Sequence, residues 1–196
     1  MGRTETRMLC SLDDNATRRD ITLAYLDLLC KKNADEVTVS DVTRRAGVSR
    51  PTFYHYFSGT VDILHHLAVL MLDGMRAAGG GGGMRDLTLE QFVREVFRHM
   101  EKNRDVLLAV SDAEGLITFF ACFRTELQRR VIAFEHSSRL NITEERSAFV
   151  LGGAISLLHF WVARGMDEPA DALAERAITL GASGTDMSVP LMKERE

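Results

Sequence analysis

The sequence predicts an all-α protein with about nine helices. Its apolar residues recur mainly at intervals of three and four, which is the period of an amphipathic helix. Residues that cap or end helices stand where these periodic runs begin and finish. With 196 residues and a hydrophobic content of 45%, the chain is long enough for a small helical domain followed by a larger one.

The first predicted helix begins near residue 15. Either Asn15 or Thr17 can cap it, because both side chains can accept a hydrogen bond from a free N–H of the first turn. We expect residues 1–14 to form a flexible tail. The apolar stripe that would brace the next two helices contains Ile21, Ala24, Leu28 and Leu29.

A second helix is predicted to begin after Thr38. Thr38 and Asp41 have the spacing of a capping box, in which each side chain accepts the other residue's backbone N–H. Val39, Val42 and Ala46 follow at helical intervals and should form one buried stripe.

A third helix should follow after a turn of two or three residues. Gly47 can adopt the positive φ that ends a helix, Ser49 can cap the next one, and Pro51 fits its first turn. Phe53 and Phe57 lie four residues apart and should face inward. This orientation leaves polar side chains near the start of the helix facing solvent: Arg50, Thr52, Tyr54 and His55.

Residues 46–57, AGVSRPTFYHYF, resemble the DNA-binding domain of the TetR/AcrR family of regulators. The resemblance extends from Thr17 to about Leu64. It implies a three-helix, helix-turn-helix DNA-binding domain over residues 15–60. It also implies a helical effector-binding and dimerisation domain over 61–183, followed by a tail over 184–196. The residues that would contact duplex DNA are Thr38, Ser40, Arg44, Arg50, Pro51, Thr52, Tyr54, His55, Tyr56 and Thr60.

The chain departs from the family pattern at the start of the fourth helix. Family members usually carry a lysine there that meets a phosphate, whereas this chain has the segment SGTVD at residues 58–62. Thr60 and the free N–H groups of the helix can still bind a phosphate. Because a neutral contact releases no counterion, we expect weaker or less salt-sensitive DNA binding.

The net charge of -4 is unevenly distributed along the chain. Residues 1–60 hold nine Lys or Arg and eight Asp or Glu, so this part has a balance of +1 and the remainder carries -5. Arg44, Arg45 and Arg50 cluster around the predicted turn, and Arg18 and Arg19 lie near the start of the first helix. An ordinary solvated helix face has similar clusters, but beside this motif the cations favour contacts with DNA phosphates.

The sequence gives little support to other functional classes. No apolar run reaches the roughly 20 residues of a membrane-spanning helix, and the N-terminus has no secretory h-region, so we expect a cytoplasmic protein. Cys10, Cys30 and Cys122 lack zinc-motif spacing, and their odd number argues against a disulfide framework. We expect reduced thiols, no metal, no cofactor and, for want of a catalytic motif, no enzymatic activity.

A fourth helix should run from Thr60 to about Ala77 and end at the five glycines Gly79–Gly83, which predict a flexible joint because glycine disfavours helix. A stripe from Leu89 to Met100 predicts the next helix. The remaining helices are expected over 104–110, 116–136, 143–164 and 168–180, with Thr143 as a cap.

The pair Gly152-Gly153 interrupts the longest apolar helix, so close approach of another backbone is expected there. The family resemblance implies that the last two helices pair with those of a second copy. Such a dimer would place two DNA-reading helices ~34 Å apart and predicts a palindromic operator. A core helix within one chain is the alternative. The expected interface residues are Gly152, Gly153, Ile155, Ser156, Leu173 and Ala177.

The resemblance also implies a regulator, acting as a repressor, that a small effector releases from DNA. The methionine and aromatic residues of the second domain favour an apolar or aromatic effector, although side chains of this kind are individually more often ordinary core residues. Alternatively, the second domain binds a protein partner, as in a coactivator or adaptor. The candidate pocket residues are Met71, Met75, Phe92, Phe97, Met100, Phe119, Phe120, Phe123, His159 and Trp161.

Overall fold

The computed structural model describes residues 13–78, 88–135 and 144–181. Within these ranges the chain forms nine α-helices and a 3-10 helix at Ala34–Glu36, which confirms the all-α prediction. The α-helices are α1 (Ala16–Leu29), α2 (Val39–Ala46), α3 (Arg50–Tyr56), α4 (Thr60–Ala78), α5 (Leu89–Lys102), α6 (Arg104–Ala109), α7 (Ala113–Glu135), α8 (Glu144–Ala163) and α9 (Ala170–Gly181). Among these helices none is both long and apolar enough to cross a membrane.

The helices begin and end within a few residues of the positions expected from the sequence. The fourth helix ends at Ala78, one residue after its expected end. The joint Gly79–Gly83, the cap Thr143, the tail 184–196 and Cys10 lie outside the described residues.

The chain divides into two compact units. Among the described residues, unit 1 contains 13–74 and 103–123, and unit 2 contains 75–78, 88–102, 124–135 and 144–181. These units do not follow the chain order of the expected domains 15–60 and 61–183, because α6 and the first part of α7 group with the N-terminal helices. Helices α4 and α7 each contribute residues to both units.

In unit 1, α1 packs against α2 and α6, and α2 packs against α3. Ile21, Ala24 and Leu29 of α1 are buried as expected, whereas Leu28 is only half-buried. Tyr25 is also buried, and burial raises the pKa of its phenol. The phenol therefore stays neutral and adds to the core of the three N-terminal helices.

A partly buried turn joins the segment after α1 to the start of α7. The carboxylate of Asp112 accepts the backbone N–H of Ala34 at 3.2 Å and that of Gly115 at 3.2 Å. A Cβ atom on residue 115 would lie only 2.6 Å from Oδ2 of Asp112. Glycine is therefore needed at this position so that the carboxylate can cap α7.

In unit 2, α5 and α9 pack together, and ion pairs bridge their exposed edges. Nη2 of Arg94 lies 2.5 Å from a carboxylate oxygen of Glu175, and Nε of Arg98 lies 2.7 Å from one of Asp171. Solvent screens such exposed pairs, so the apolar contact between the helices supplies most of the stability. In the interior, the rings of Phe97 on α5 and Trp161 on α8 lie 6.3 Å apart.

Both cysteines of the described ranges are free thiols. Cys30 is exposed after α1, and Cys122 is half-buried on α7. Burial, and then the negative charge of Asp62, raises the pKa of the Cys122 thiol. The raised pKa reduces the thiolate fraction and hence the reactivity of this residue.

Candidate nucleic-acid interface

The first helix of the motif, α2, has its start and end fixed by local hydrogen bonds. Thr38 accepts the N–H of Asp41 at 3.2 Å, and Asp41 accepts the N–H of Thr38 at 3.2 Å, which confirms the capping box. Gly47 ends the helix with a φ of 70°. Between them Val42 is fully buried, while Val39 and Ala46 are half-buried, so the expected stripe forms the inner side of α2.

The second helix of the motif, α3, is fixed in the same way and anchored by two aromatic side chains. The hydroxyl of Ser49 accepts the N–H of Thr52 at 3.2 Å, and Pro51 lies in the first turn. Phe53 is completely buried and Phe57 is 3% exposed. The anchors hold the inner side of α3 against the core of unit 1, so its other side chains are directed outward.

The outward side of α3 is polar and carries the residues that the sequence predicts to read DNA. Arg50, Pro51 and His55 are exposed, Thr52 and Tyr56 are half-buried, and Tyr54 is 57% exposed. Guanidinium, hydroxyl and imidazole groups can all hydrogen-bond to the edges of bases or to phosphates. A seven-residue helix with such a face has the form of a recognition helix.

The guanidinium of Arg50 is held in place by α2. Its Nη2 donates to the hydroxyl oxygen of Ser40 at 2.5 Å. Because that partner is neutral, the positive charge of Arg50 is retained at the surface. Ser40 thus lies on the side of α2 next to the start of α3.

The other arginines of the predicted basic cluster differ in their partners. Arg44 is 78% exposed, and its Nη1 lies 3.7 Å from the carboxylate of Asp41. Nε of Arg45 donates to Asp27 on α1 at 2.7 Å, and this hydrogen bond raises the pKa of Arg45 and lowers that of Asp27. Arg45 therefore joins α2 to α1, whereas Arg44 is the residue of this pair that remains open to a phosphate.

The start of α4 is already partly occupied by a carboxylate. Asp62 accepts the backbone N–H of Ser58 at 3.0 Å and the hydroxyl of Ser58 at 3.3 Å. Thr60 is half-buried beside it. A phosphate at Thr60 would meet this negative charge, so the structure gives a further reason to expect a weak backbone contact there.

The sequence-based interpretation missed a buried ionic cluster. Asp13, which falls in the expected flexible tail, is only 2% exposed. Its Oδ1 accepts from the N–H of Asn15 at 3.0 Å and from Nη2 of Arg18 at 2.7 Å. Its Oδ2 accepts from Nε of Arg18 at 2.8 Å and lies 2.8 Å from Nε2 of His66. The tail prediction is therefore wrong for Asp13, and no local sequence pattern reveals a partner 53 residues away.

The candidate pocket residues fall into the two units. In unit 1, Met71 is buried, and Phe119, Phe120 and Phe123 form an aromatic group with ring centroids 5.4 to 6.4 Å apart. In unit 2, Phe97 and Trp161 lie together. Four further candidates of unit 2 are buried or half-buried: Phe92, Met100, Met75 and His159.

The candidate dimer residues fall into two groups. One group lies on an exposed face of α8, and the other occupies more buried positions. Gly153 and Ser156 are exposed, between Phe149 at 71% and Phe160 at 59% exposure. These four residues follow at intervals of four, three and four, so they share one face of the helix, with Gly152 beside it. The other candidates are half-buried or lie in the chain's own core: Ala177, Ile155 and Leu173.

Comparison with known proteins identifies the helix-turn-helix region. Residues 21–67 match the model of the family described as bacterial regulatory proteins, tetR family. No curated protein sequence gives a significant match to the chain.

Several solved structures share the fold over most of the chain. The TetR transcriptional regulator from Streptococcus agalactiae is 24% identical, with a TM-score of 0.54, over 84% of this chain and 93% of that one. The fatty acid degradation regulator FadR from Bacillus halodurans is 16% identical, with a TM-score of 0.55, over 89% and 99% of the two chains. FadR from Bacillus subtilis, solved in complex with stearoyl-CoA, is 16% identical, with a TM-score of 0.54, over 85% and 98%.

Proposed function

We propose that the chain is a TetR-family transcriptional regulator, which acts in the cytoplasm as a homodimeric repressor and binds a palindromic operator. The observation that carries this proposal is the outward face of α3, where Arg50, Tyr54 and His55 are exposed over two buried phenylalanine anchors. Residues 15–60 would bind DNA, and residues 61–183 would bind the effector and the second copy.

DNA recognition in this proposal uses α3 for bases and its surroundings for phosphates. Arg50, oriented by Ser40, is suited to a guanine edge, which offers two acceptors to one guanidinium. Tyr54 and His55 would contact neighbouring bases. Arg44 on α2 is placed for a phosphate, and the remaining predicted contacts flank these residues: Thr38, Pro51, Thr52, Tyr56 and Thr60.

Dimerisation in this proposal uses the exposed face of α8. Phe149 and Phe160 present large apolar rings to solvent, an arrangement that burial against a second copy would stabilise. Gly153 lies between them, and a Cβ atom there would meet nothing within 4 Å in its own chain. Since neither internal packing nor φ requires this glycine, close approach of a partner helix accounts for it. This face replaces Ile155 and Leu173 as the proposed centre of contact.

We further propose an apolar effector. Buried aromatic and methionine side chains offer such a ligand many contacts and few charges. Acyl-CoA thioesters are the first class to test, because a protein of similar fold was solved with stearoyl-CoA. Bound at 100 times its Kd, an effector should stabilise the protein by about 2.7 kcal/mol, which a thermal-shift measurement detects. An absence of stabilisation across acyl-CoA, free fatty acid and aromatic panels would instead favour a protein partner.

The decisive experiment measures binding to a duplex enriched from random DNA by the wild-type protein. We expect a complex of two chains per palindrome, and Arg50→Ala should weaken it at least tenfold. Lys31→Ala is the matched control. Lys31 is an exposed cation of the same unit; it follows α1 and pairs with Asp27 on that helix. An equal loss in both variants would indicate unspecific attraction to phosphate and contradict the proposal.

A further inference from the structure

The segment that precedes α1 is fastened to α4 by one buried carboxylate. Asp13 receives hydrogen bonds from Arg18, from the N–H of Asn15 and from His66, so both of its oxygens are satisfied. Burial raises the pKa of Asp13, but these hydrogen bonds outweigh it and hold the pKa at about 2. Asp13 is therefore ionised and can only accept hydrogen bonds.

The negative charge of Asp13 determines which ring nitrogen of His66 carries the proton. Since the carboxylate only accepts, Nε2 of His66 must carry the proton and donate it. Burial lowers the pKa of His66 more than Asp13 raises it, so the ring stays neutral at pH 7. The charged groups around the ring are Asp13 before α1, Arg18 on α1 and Asp62 on α4.

Two contacts lead from this cluster to the recognition helix. The ring of His66 packs edge-on against Phe57, the anchor at the end of α3, with centroids 5.7 Å apart. Asn15, whose N–H is bound by Asp13, caps α1, and its side-chain amide donates to the hydroxyl of Tyr56 on α3 at 3.4 Å. His66 and Asp13 thus reach both the inner anchor and the outer edge of the helix.

We propose that Asp13 and His66 are positioning residues for DNA binding: without touching DNA, their hydrogen bond holds the start of α1 against the second turn of α4, so that Tyr56 and the rest of α3 keep their binding geometry. The inference rests on the proposed DNA binding. It differs from a general stabilising role, because the bond should affect operator affinity even when every molecule is folded.

The test uses two substitutions of His66 that differ in one hydrogen bond. His66→Leu removes the donor at similar volume, whereas His66→Gln keeps an amide N–H that can reach Asp13. At 25 °C, with near-ultraviolet circular dichroism confirming the folded state, we expect His66→Leu to weaken binding to the selected duplex about tenfold. His66→Gln should stay within about threefold of wild type.

A double-mutant cycle supplies the readout that a merely structural role would not change. If His66 acts through the placement of Tyr56, the effect of Tyr56→Phe on affinity should be at least halved on the logarithmic scale in the His66→Leu background. Additive effects, or a leucine variant that binds like wild type, would overturn the inference alone. Failure of the wild-type protein to bind any duplex would overturn the proposed function and the inference with it.

Discussion

The recognition helix α3 and the outer face of α8 expose aromatic side chains to nearly the same extent, but their surroundings differ. Tyr54 is 57% exposed and has Arg50 and His55 close in sequence, whereas Phe160 is 59% exposed and shares its face of α8 with Gly153 and the exposed ring of Phe149. The guanidinium of Arg164 lies 5.4 Å from the centre of the Phe160 ring, on the side toward the end of α8. We propose that both rings belong to partner surfaces, and that the polarity of the neighbouring side chains distinguishes a nucleic acid from a second protein surface.

We expect the largest effect from a substitution in the apolar face of α8. Phe160→Glu would bury a carboxylate, next to Arg164, in the proposed dimer contact, and removing that charge from water costs about 3 kcal/mol or more. The dimer dissociation constant should rise at least a hundredfold in sedimentation equilibrium. Ile117→Glu, at an equally exposed apolar position on α7, is the control and should leave the dimer intact. A dimer of unchanged affinity in Phe160→Glu would remove α8 from the interface.

Substitutions on the polar face of α3 should leave the dimer intact and weaken DNA binding. Arg50→Ala removes a guanidinium whose base contact is worth about 1–3 kcal/mol, so operator affinity should fall about ten- to a hundredfold. Tyr54→Phe should cost less, because only one hydroxyl is lost. Both side chains are exposed, so the melting temperature should change by no more than about 2 °C. A parallel loss of melting temperature would show that these residues belong to the core.

Low pH should destabilise unit 1, which contains α3, because Asp13 becomes protonated. A carboxylate whose pKa falls from 3.8 to about 2 on folding stabilises the protein above pH ~4 and loses that contribution as the pH falls toward 2. The contribution is about 2 kcal/mol at neutral pH. Urea unfolding of the wild type and Asp13→Asn should therefore show a stability difference that shrinks by this amount between pH 5 and pH 2. A difference independent of pH would contradict the ionised cluster.

A lysine at the start of α4 should increase the salt dependence of DNA binding. Thr60→Lys adds a cation where a phosphate is expected, so the slope of log affinity against log salt should steepen by roughly 0.9. Thr60→Gln provides a neutral side chain of comparable reach as the control. If the slope is the same for lysine and glutamine, either the phosphate is absent or Asp62 neutralises the new charge.

The smallest expected effect tests why α8 contains an exposed glycine. In the monomeric Phe160→Glu background, Gly153→Ala should raise the unfolding free energy by about 1 kcal/mol, since alanine favours helix and its Cβ has open space. In the otherwise wild-type chain the same methyl group should weaken the dimer. Gly47→Ala, at a φ of +70°, should instead destabilise the protein. A stronger dimer with Gly153→Ala would contradict close helix approach.

The sequence was sufficient where structure depends on nearby residues. The caps Thr38 and Ser49, the helix end at Gly47 and the anchors Phe53 and Phe57 all act within a few residues, so their spacing alone predicts them. The order of helices follows from the same periodicity. The outward face of α3 therefore follows from the spacing of its own residues.

The sequence was insufficient where a residue depends on a distant partner. Asp13 resembles part of a polar tail until His66 is placed beside it, and Arg45 resembles a DNA-binding cation until Asp27 is placed beside it. On α8, periodicity marks an apolar helix but does not show that Ile155 faces the chain's own core. Tertiary packing decides each of these cases.

The measurement that tests the account most directly is selection of bound sequences from random duplex DNA by the wild-type protein. We predict enrichment of a palindrome whose half-site centres lie about 10 base pairs apart, the spacing of one DNA turn. The same selection with Arg50→Ala should lose preference at the base that this residue contacts. No enrichment above the input pool, or an enriched sequence without two-fold symmetry, would contradict the proposed dimeric operator binding.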